Sequence, residues 1–459
     1  MLIASFNSHN ENASDAGLSR LDTIGGFGLF LFLLFFQLNA TVAYVGLAVV
    51  GLVFVFQTKT WMPVLKQDPV AQVFLLIVLY ILCYSVWASC EFPATAEDQR
   101  IAAFNFMHWL FFIPVAWQQF RHRKHINSML LVLAASLLIR IIVNFDWADV
   151  WNLAKVERTG FGLALTVFAP IAGGTVLGLL LLVPSMMSQQ PASARWLVGL
   201  KASVWLVCLL ILLESIVLNQ TRGAWLALAL VLPVALIVRY KGSLIGAAKI
   251  SSKSLVILAI IVGLAAFFLH ENYATIFNRI NAEQVRSEPE VVKMQVEGQE
   301  VLMTSSVGYR KILWEIGWRK WKERAFLGWG PGTTEALVKQ ENNPLLSQSV
   351  TRKDGSIETL HLYHLHNLYL EFLVRFGVLG SLPFLALPLL LLAGVWKAQA
   401  NGSIGWDYAC FLFAGWIFMA IMVFFDFQIY KYAWRNYSLI WAALTYAVHL
   451  ENQRDLQRF

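Results

Sequence analysis

Three short runs hold the residues whose types and spacing suit chemistry. The run His361-Leu362-Tyr363-His364-Leu365-His366-Asn367 places three imidazoles within six positions. An imidazole titrates near neutrality, so one of them could take a proton from a hydroxyl. Three close histidines also suit a metal, but the run brings no cysteine and no HExxH helix, so no metal is expected. The second run, Asn219-Gln220-Thr221-Arg222-Gly223-Ala224-Trp225, offers in Arg222 a permanent charge whose fork of donors matches phosphate oxygens. The competing reading of Arg222 is an anchor at the membrane surface. The third begins at Gly308-Tyr309-Arg310 and ends at Leu327-Gly328-Trp329-Gly330-Pro331-Gly332. Between them Ile312, Leu313, Trp314, Ile316, Trp318 and Trp321 alternate with Arg and Lys, the pattern of an amphipathic helix against lipid headgroups or on a protein surface.

The rest of the chain must position these runs, and its composition says how. Of 459 residues, 58% are hydrophobic and only 14% charged, against about 25% charged in a soluble domain. A soluble globule is excluded, and the fold class expected is an all-α polytopic integral membrane protein. Twelve apolar runs of spanning length lie near 24–39, 41–57, 69–89, 101–119, 126–144, 162–184, 196–218, 224–239, 253–270, 367–393, 408–427 and 437–450. Alternating them across a bilayer collects Lys59, Lys66, Arg121, Arg123, Lys124, Arg195, Lys201, Arg239, Lys241, Lys249, Lys397, Arg454 and Arg458 on one side. By the positive-inside rule that side is cytoplasmic, with both termini. The net charge of +7 therefore reports topology and not a nucleic-acid partner. The segment up to Arg20 has no basic n-region and is not expected to be a cleaved signal peptide.

One outward segment is unlike the others. Residues 271–365 carry 24 charged positions, twelve of each sign, so they form a folded extramembrane loop. The organisation expected is spans one to nine over 1–270, a mainly helical loop over 271–365, and spans ten to twelve with a short tail over 366–459. Cys83, Cys90, Cys208 and Cys410 form no metal or redox pattern; Cys83 and Cys90, about 10 Å apart along one helix, are too distant for a disulfide. His108, Arg140, Glu214, Glu371, Arg375 and Asp426 all fall in the outward half of their spans. Such one-sidedness suits a site open to one face, whereas a transporter would carry midplane charges and inverted repeats, and neither is found. Glu371 and Arg375, four apart with Glu first, also read as a structural pair.

Together the three runs resemble the O-antigen ligase and polymerase superfamily. His366-Asn367, nine residues, then Gly377-Val378-Leu379-Gly380 matches its HN-x9-GxxG signature. Arg310 with Trp314 and the following glycine-rich exit is similar to its R-xxx-W helix, and Thr221-Arg222-Gly223 to its Arg-Gly turn. The resemblance implies a GT-C-like, metal-independent, inverting glycosyltransferase without a cofactor, its site on the periplasmic face of a bacterial inner membrane. It implies a donor glycan on undecaprenyl pyrophosphate and an acceptor hydroxyl on lipid A-core oligosaccharide. His366 would be the base, Arg222 and Arg310 would hold the pyrophosphate, and His364, Asn367, Glu214 and Arg375 would support them. His366 is chosen over His364 because Asn367 follows it directly. The single dominant loop and the short tail favour a ligase over an O-antigen polymerase or an O-linked protein oligosaccharyltransferase.

Overall fold

The computed structural model describes residues 19–149, 158–183, 195–245, a few positions between 263 and 277, and 292–456 apart from 297–298, 304–305, 342, 352–356 and 362–363. Apolar runs of this length become helices because a helix satisfies its own backbone where no water can. Eleven of the twelve expected runs do so. They are α1 (Arg20–Phe35), α2 (Ala40–Phe56) with a bent extension α3 (Thr58–Leu65), α4 (Pro69–Glu91), the broken pair α5 (Ala96–Met107) and α6 (Phe112–Arg121), α7 (Ile126–Asn144), α8 (Leu165–Leu181), α9 (Arg195–Asn219) and α10 (Arg222–Ile245). After the loop come α13 (Leu368–Ala400), α14 (Trp406–Phe424) and α15 (Tyr432–Leu456). The run near 253–270 and the segment before Ser19 lie outside the described residues. Among those described, seven helices are long and apolar enough to cross a membrane, or eight if α2 and α3, bent by 82°, count as one.

Polar caps mark where helices begin. Ser19 and Asp22 form a reciprocal capping box on α1, Asn39 caps α2, Asp68 caps α4 ahead of Pro69, and Asn367 caps α13. Inside the bundle, small residues admit close neighbours: α1 and α2 approach where Gly28 faces Gly46, and Phe418, Tyr437 and Trp441 lie against Gly173, Gly174 and Gly415. The main core joins α1, α2, α6, α8, α14 and α15 around Phe32, Phe112, Phe168, Phe418 and Tyr446.

The loop departs from expectation. Among its described residues, beside the helices α11 (Ser306–Glu323) and α12 (Thr334–Gln340), it holds two antiparallel hairpins that the expectation did not include, β1 (Val292–Val296) with β2 (Gln299–Met303) and β3 (Ser347–Thr351) with β4 (Ile357–His361). Val292-Lys293-Met294-Gln295-Val296 alternates apolar and polar with the period of a strand, a signal that the loop's charge density had masked. Nor does α11 reserve its apolar stripe for lipid. Leu313, Ile316 and Gly317 pack on α12 and α13 through Leu337, Leu365 and Leu370.

Candidate active site

His366 sits at the joint between loop and bundle, one residue before the Asn367 cap of α13. Its backbone is left-handed at φ 50°, a conformation that costs a non-glycine residue about 1–3 kcal/mol and persists only where the surroundings impose it. The surroundings are explicit. Leu365, immediately before it, gives its N–H to the Glu371 carboxylate at 2.8 Å, and its carbonyl accepts from Trp314 Nε1 at 3.0 Å. Asn367 Oδ1 accepts from Leu370 N at 3.1 Å. The histidine is thus pinned from α11 and α13 at once.

Its side chain is oriented by Asp426, in the turn between α14 and α15. His366 Nδ1 lies 2.9 Å from Asp426 Oδ1, while Phe427 N and Gln428 Nε2 donate to the same carboxylate at 2.8 and 2.7 Å. Burial alone would raise the Asp426 carboxyl, but its hydrogen bond to His366 and the neighbouring histidines hold it well below the usual carboxylate range. An ionised carboxylate at Nδ1 assigns the proton to that nitrogen and leaves the lone pair on Nε2. Nε2 is buried and makes no hydrogen bond to a described residue. The Tyr309 ring, next to Arg310 at the start of α11, approaches with centroids 5.4 Å apart.

The His364 ring lies tilted against that of His366, with centroids 4.0 Å apart, and its Nδ1 accepts the His366 backbone N–H at 3.3 Å. Burial and the adjacent His366 lower its imidazole to about 4, so it is a neutral acceptor at neutral pH. Ring nitrogens of His364 and His366 and a carboxylate oxygen of Asp426 lie within 4.8 Å of one another, a set able to seat a cation. Asp426 already accepts from His366, Phe427 and Gln428, and His364 Nδ1 from the His366 backbone, which leaves His366 Nε2 as the buried nitrogen of the set without a partner among the described residues.

One turn into α13 a buried pair locks the glycine-rich exit of α11 in place. Arg375 Nε donates to Glu371 at 2.7 Å, and its Nη1 bonds the Pro331 carbonyl and the Tyr430 hydroxyl. Thr334 adds its hydroxyl to Glu371 at 2.9 Å. A buried ion pair holds its shape when further hydrogen bonds support it, as those of Pro331, Tyr430 and Thr334 do here; removing one partner costs about 3–5 kcal/mol. The exit runs so close to α13 that a side chain at Gly328 or Gly377 would collide with the other strand's backbone, and both have positive φ. Val378 N reaches Ala325 O at 2.8 Å, and Trp329 N and Gly330 N reach the carbonyls of Val374 and Arg375, each at 2.9 Å. The two signature motifs are therefore one interlocked object.

Arg222 opens α10 after a turn in which Gln220 has φ 53°. Arg158 braces that turn, donating to the Asn219 carbonyl at 3.0 Å and the Thr221 hydroxyl at 3.4 Å. Gly223 abuts Phe425, which places the Arg222 turn beside the Asp426 segment. Of the residues singled out from sequence, His366, His364 and Asn367 are thus joined directly, Arg375 joins them through Glu371 and Leu365, Arg310 follows Tyr309, whose ring meets His366, and Arg222 precedes Gly223, which abuts Phe425. Glu214 bonds Asn272 at 3.1 Å, with no contact to His366 among the described residues. Sequence reasoning counted Asp426 only as an embedded charge and passed over Arg158. A lone acid at the outward end of a span was the available signal for the first.

No curated protein matches the chain. Residues 206–385, running from α9 through the Arg222 turn, α11 and the HN-x9-GxxG signature of α13, match the family model described as O-antigen ligase.

Proposed function

We propose that the protein is an O-antigen ligase, moving a glycan from undecaprenyl pyrophosphate to a hydroxyl of lipid A-core oligosaccharide on the periplasmic face of a bacterial inner membrane. The observation that carries this reading is the His366–Asp426 arrangement at 2.9 Å, with the Nε2 acceptor directed away from the carboxylate. In the reaction, Nε2 takes the proton of the acceptor hydroxyl as its oxygen bonds to the anomeric carbon. The bond from that carbon to the pyrophosphate oxygen breaks on the opposite side, so the configuration inverts. Charge grows on the departing pyrophosphate, and Arg222 and Arg310 would stabilise it there. The activated donor already carries the free energy, so neither nucleotide nor metal takes part in this scheme.

The family also covers O-antigen polymerases, which share the donor and differ in acceptor. Purified protein incubated with lipid-linked O-antigen and rough lipopolysaccharide, with chelator and no nucleotide, separates the two. Transfer to lipid A-core is the expected result. Lengthening of the lipid-linked glycan alone would make the protein a polymerase, and loss of transfer on chelation would bring the His364–His366–Asp426 cluster into play as a metal site.

A further inference from the structure

A groove of about 500 Å³ lies between α11 and the start of α13, opening beside Asn367 and so next to His366. Its volume is in the ~300–1,000 Å³ range of small-molecule sites. Lys311, Trp314, Glu315 and Trp318 line one side, spaced so that they share one stripe of α11, and Tyr369, Leu370 and Leu373 face them from α13. Within this stripe Trp314 also helps to hold the helix down, through the Leu365 carbonyl, while the main packing face is Leu313, Ile316 and Gly317. Two large aromatics are left uncovered in the groove, Trp318 at 47% and Tyr369 at 42% exposure. Lys311 and Glu315 make no hydrogen bond or ion pair to any described residue.

The lining selects among the ligands of the proposed reaction, on which this inference rests. A pyrophosphate would be repelled by Glu315. A polyprenyl or acyl chain would desolvate Glu315 and Lys311 without giving either a partner. A neutral sugar ring meets the aromatic and the charged features together: the indoles and Leu370 and Leu373 take its apolar C–H face, the carboxylate accepts from its hydroxyls, and the ammonium donates to its oxygens. We infer that the groove is a subsite for a sugar ring of the acceptor oligosaccharide. The acceptor is favoured over the donor glycan because the groove opens at the residue that follows the base, and the base must meet the acceptor hydroxyl.

Two measurements on Trp318→Ala, Trp318→Phe and Glu315→Gln test this, with thermal unfolding used to match folded fractions. In transfer kinetics with each substrate varied separately, Trp318→Ala should raise the KM for rough lipopolysaccharide about tenfold and leave kcat and the donor KM unchanged. Glu315→Gln should raise the acceptor KM less, and Trp318→Phe should restore most of it. In the second measurement, core oligosaccharide released from rough lipopolysaccharide is titrated into the protein without donor, and Trp318→Ala should bind it about tenfold more weakly. A changed donor KM with an unchanged acceptor KM overturns the assignment, as does unaltered core binding in Trp318→Ala. Core binding that depends on Trp318 in a wild-type protein that performs no transfer would sustain the subsite and remove the ligase reading.

Discussion

Among its described residues the bundle has two histidine–aspartate pairs, one at each end, and they make opposite use of the same chemistry. At the end expected to be cytoplasmic, His449 Nε2 meets Asp68 at 2.8 Å; at the other, His366 Nδ1 meets Asp426 at 2.9 Å. Both carboxylates are saturated. Asp68 caps α4 through Ala71 N and also takes Tyr446 OH, each at 2.9 Å, with Gln453 at 2.5 Å. The difference lies in the histidines. His449 has the regular backbone of α15, and its ring lies so close to α13 that a side chain at Gly394 would collide with it. His366 has a left-handed backbone between two elements, and its ring meets that of Tyr309 at the start of α11, with centroids 5.4 Å apart. A His–Asp pair is thus a latch when helices close over the second nitrogen, and a candidate base when strained backbone holds that nitrogen toward a site.

Substitutions at the two ends should separate these roles. His366→Ala is expected to lower transfer by about 10²–10⁴-fold with unfolding temperature nearly unchanged, read by product formation from lipid-linked glycan. Arg310→Ala and Arg222→Ala should each reduce kcat/KM for the donor by roughly 10²-fold; unchanged donor kinetics in both would remove the pyrophosphate clamp. Asp426→Asn should cost roughly tenfold or more in kcat without changing either KM, because an amide no longer fixes the Nδ1 tautomer. At the other end, His449→Ala and Asp68→Asn should lower thermal stability by about 1–3 kcal/mol and leave kcat of the folded protein within about twofold. A catalytic defect there at full stability would erase the distinction.

The smallest effect concerns pH. His364 is lowered to about 4, beneath the ordinary histidine value of about 6.5, so between these values the unfolded chain binds more protons than the folded one. Its contribution to stability is therefore complete above about pH 6.5 and declines as the pH falls toward 4. Thermal unfolding from pH 7 to 5 should show a shallower decline for His364→Gln than for wild type; parallel slopes would mean that His364 is not held neutral by the fold.

Much of this was legible in the residues. Apolar runs of spanning length foretold helix over eleven stretches, since hydropathy is a local property, and the spacing from His366-Asn367 to Gly377 marked a motif but not the break that Gly377 makes in α13. What was hidden depends on contacts between distant positions. Asp426 lies sixty residues after His366, and nothing local says that the turn after α14 folds back on it. The interlock of Gly328 with Gly377 and the bracing of the Arg222 turn by Arg158 are hidden for the same reason. The amphipathic pattern of α11 was read correctly as a helix, but periodicity alone did not say whether its apolar stripe would meet lipid or protein.

The central claim is that His366, and not its counterpart at the far end, carries the chemistry. It is tested most directly by assaying His366→Ala and His449→Ala side by side for transfer of lipid-linked O-antigen to rough lipopolysaccharide, at equal concentrations of folded protein. The account predicts transfer by His449→Ala at close to the wild-type rate and almost none by His366→Ala. Transfer by His366→Ala at the wild-type rate would contradict it.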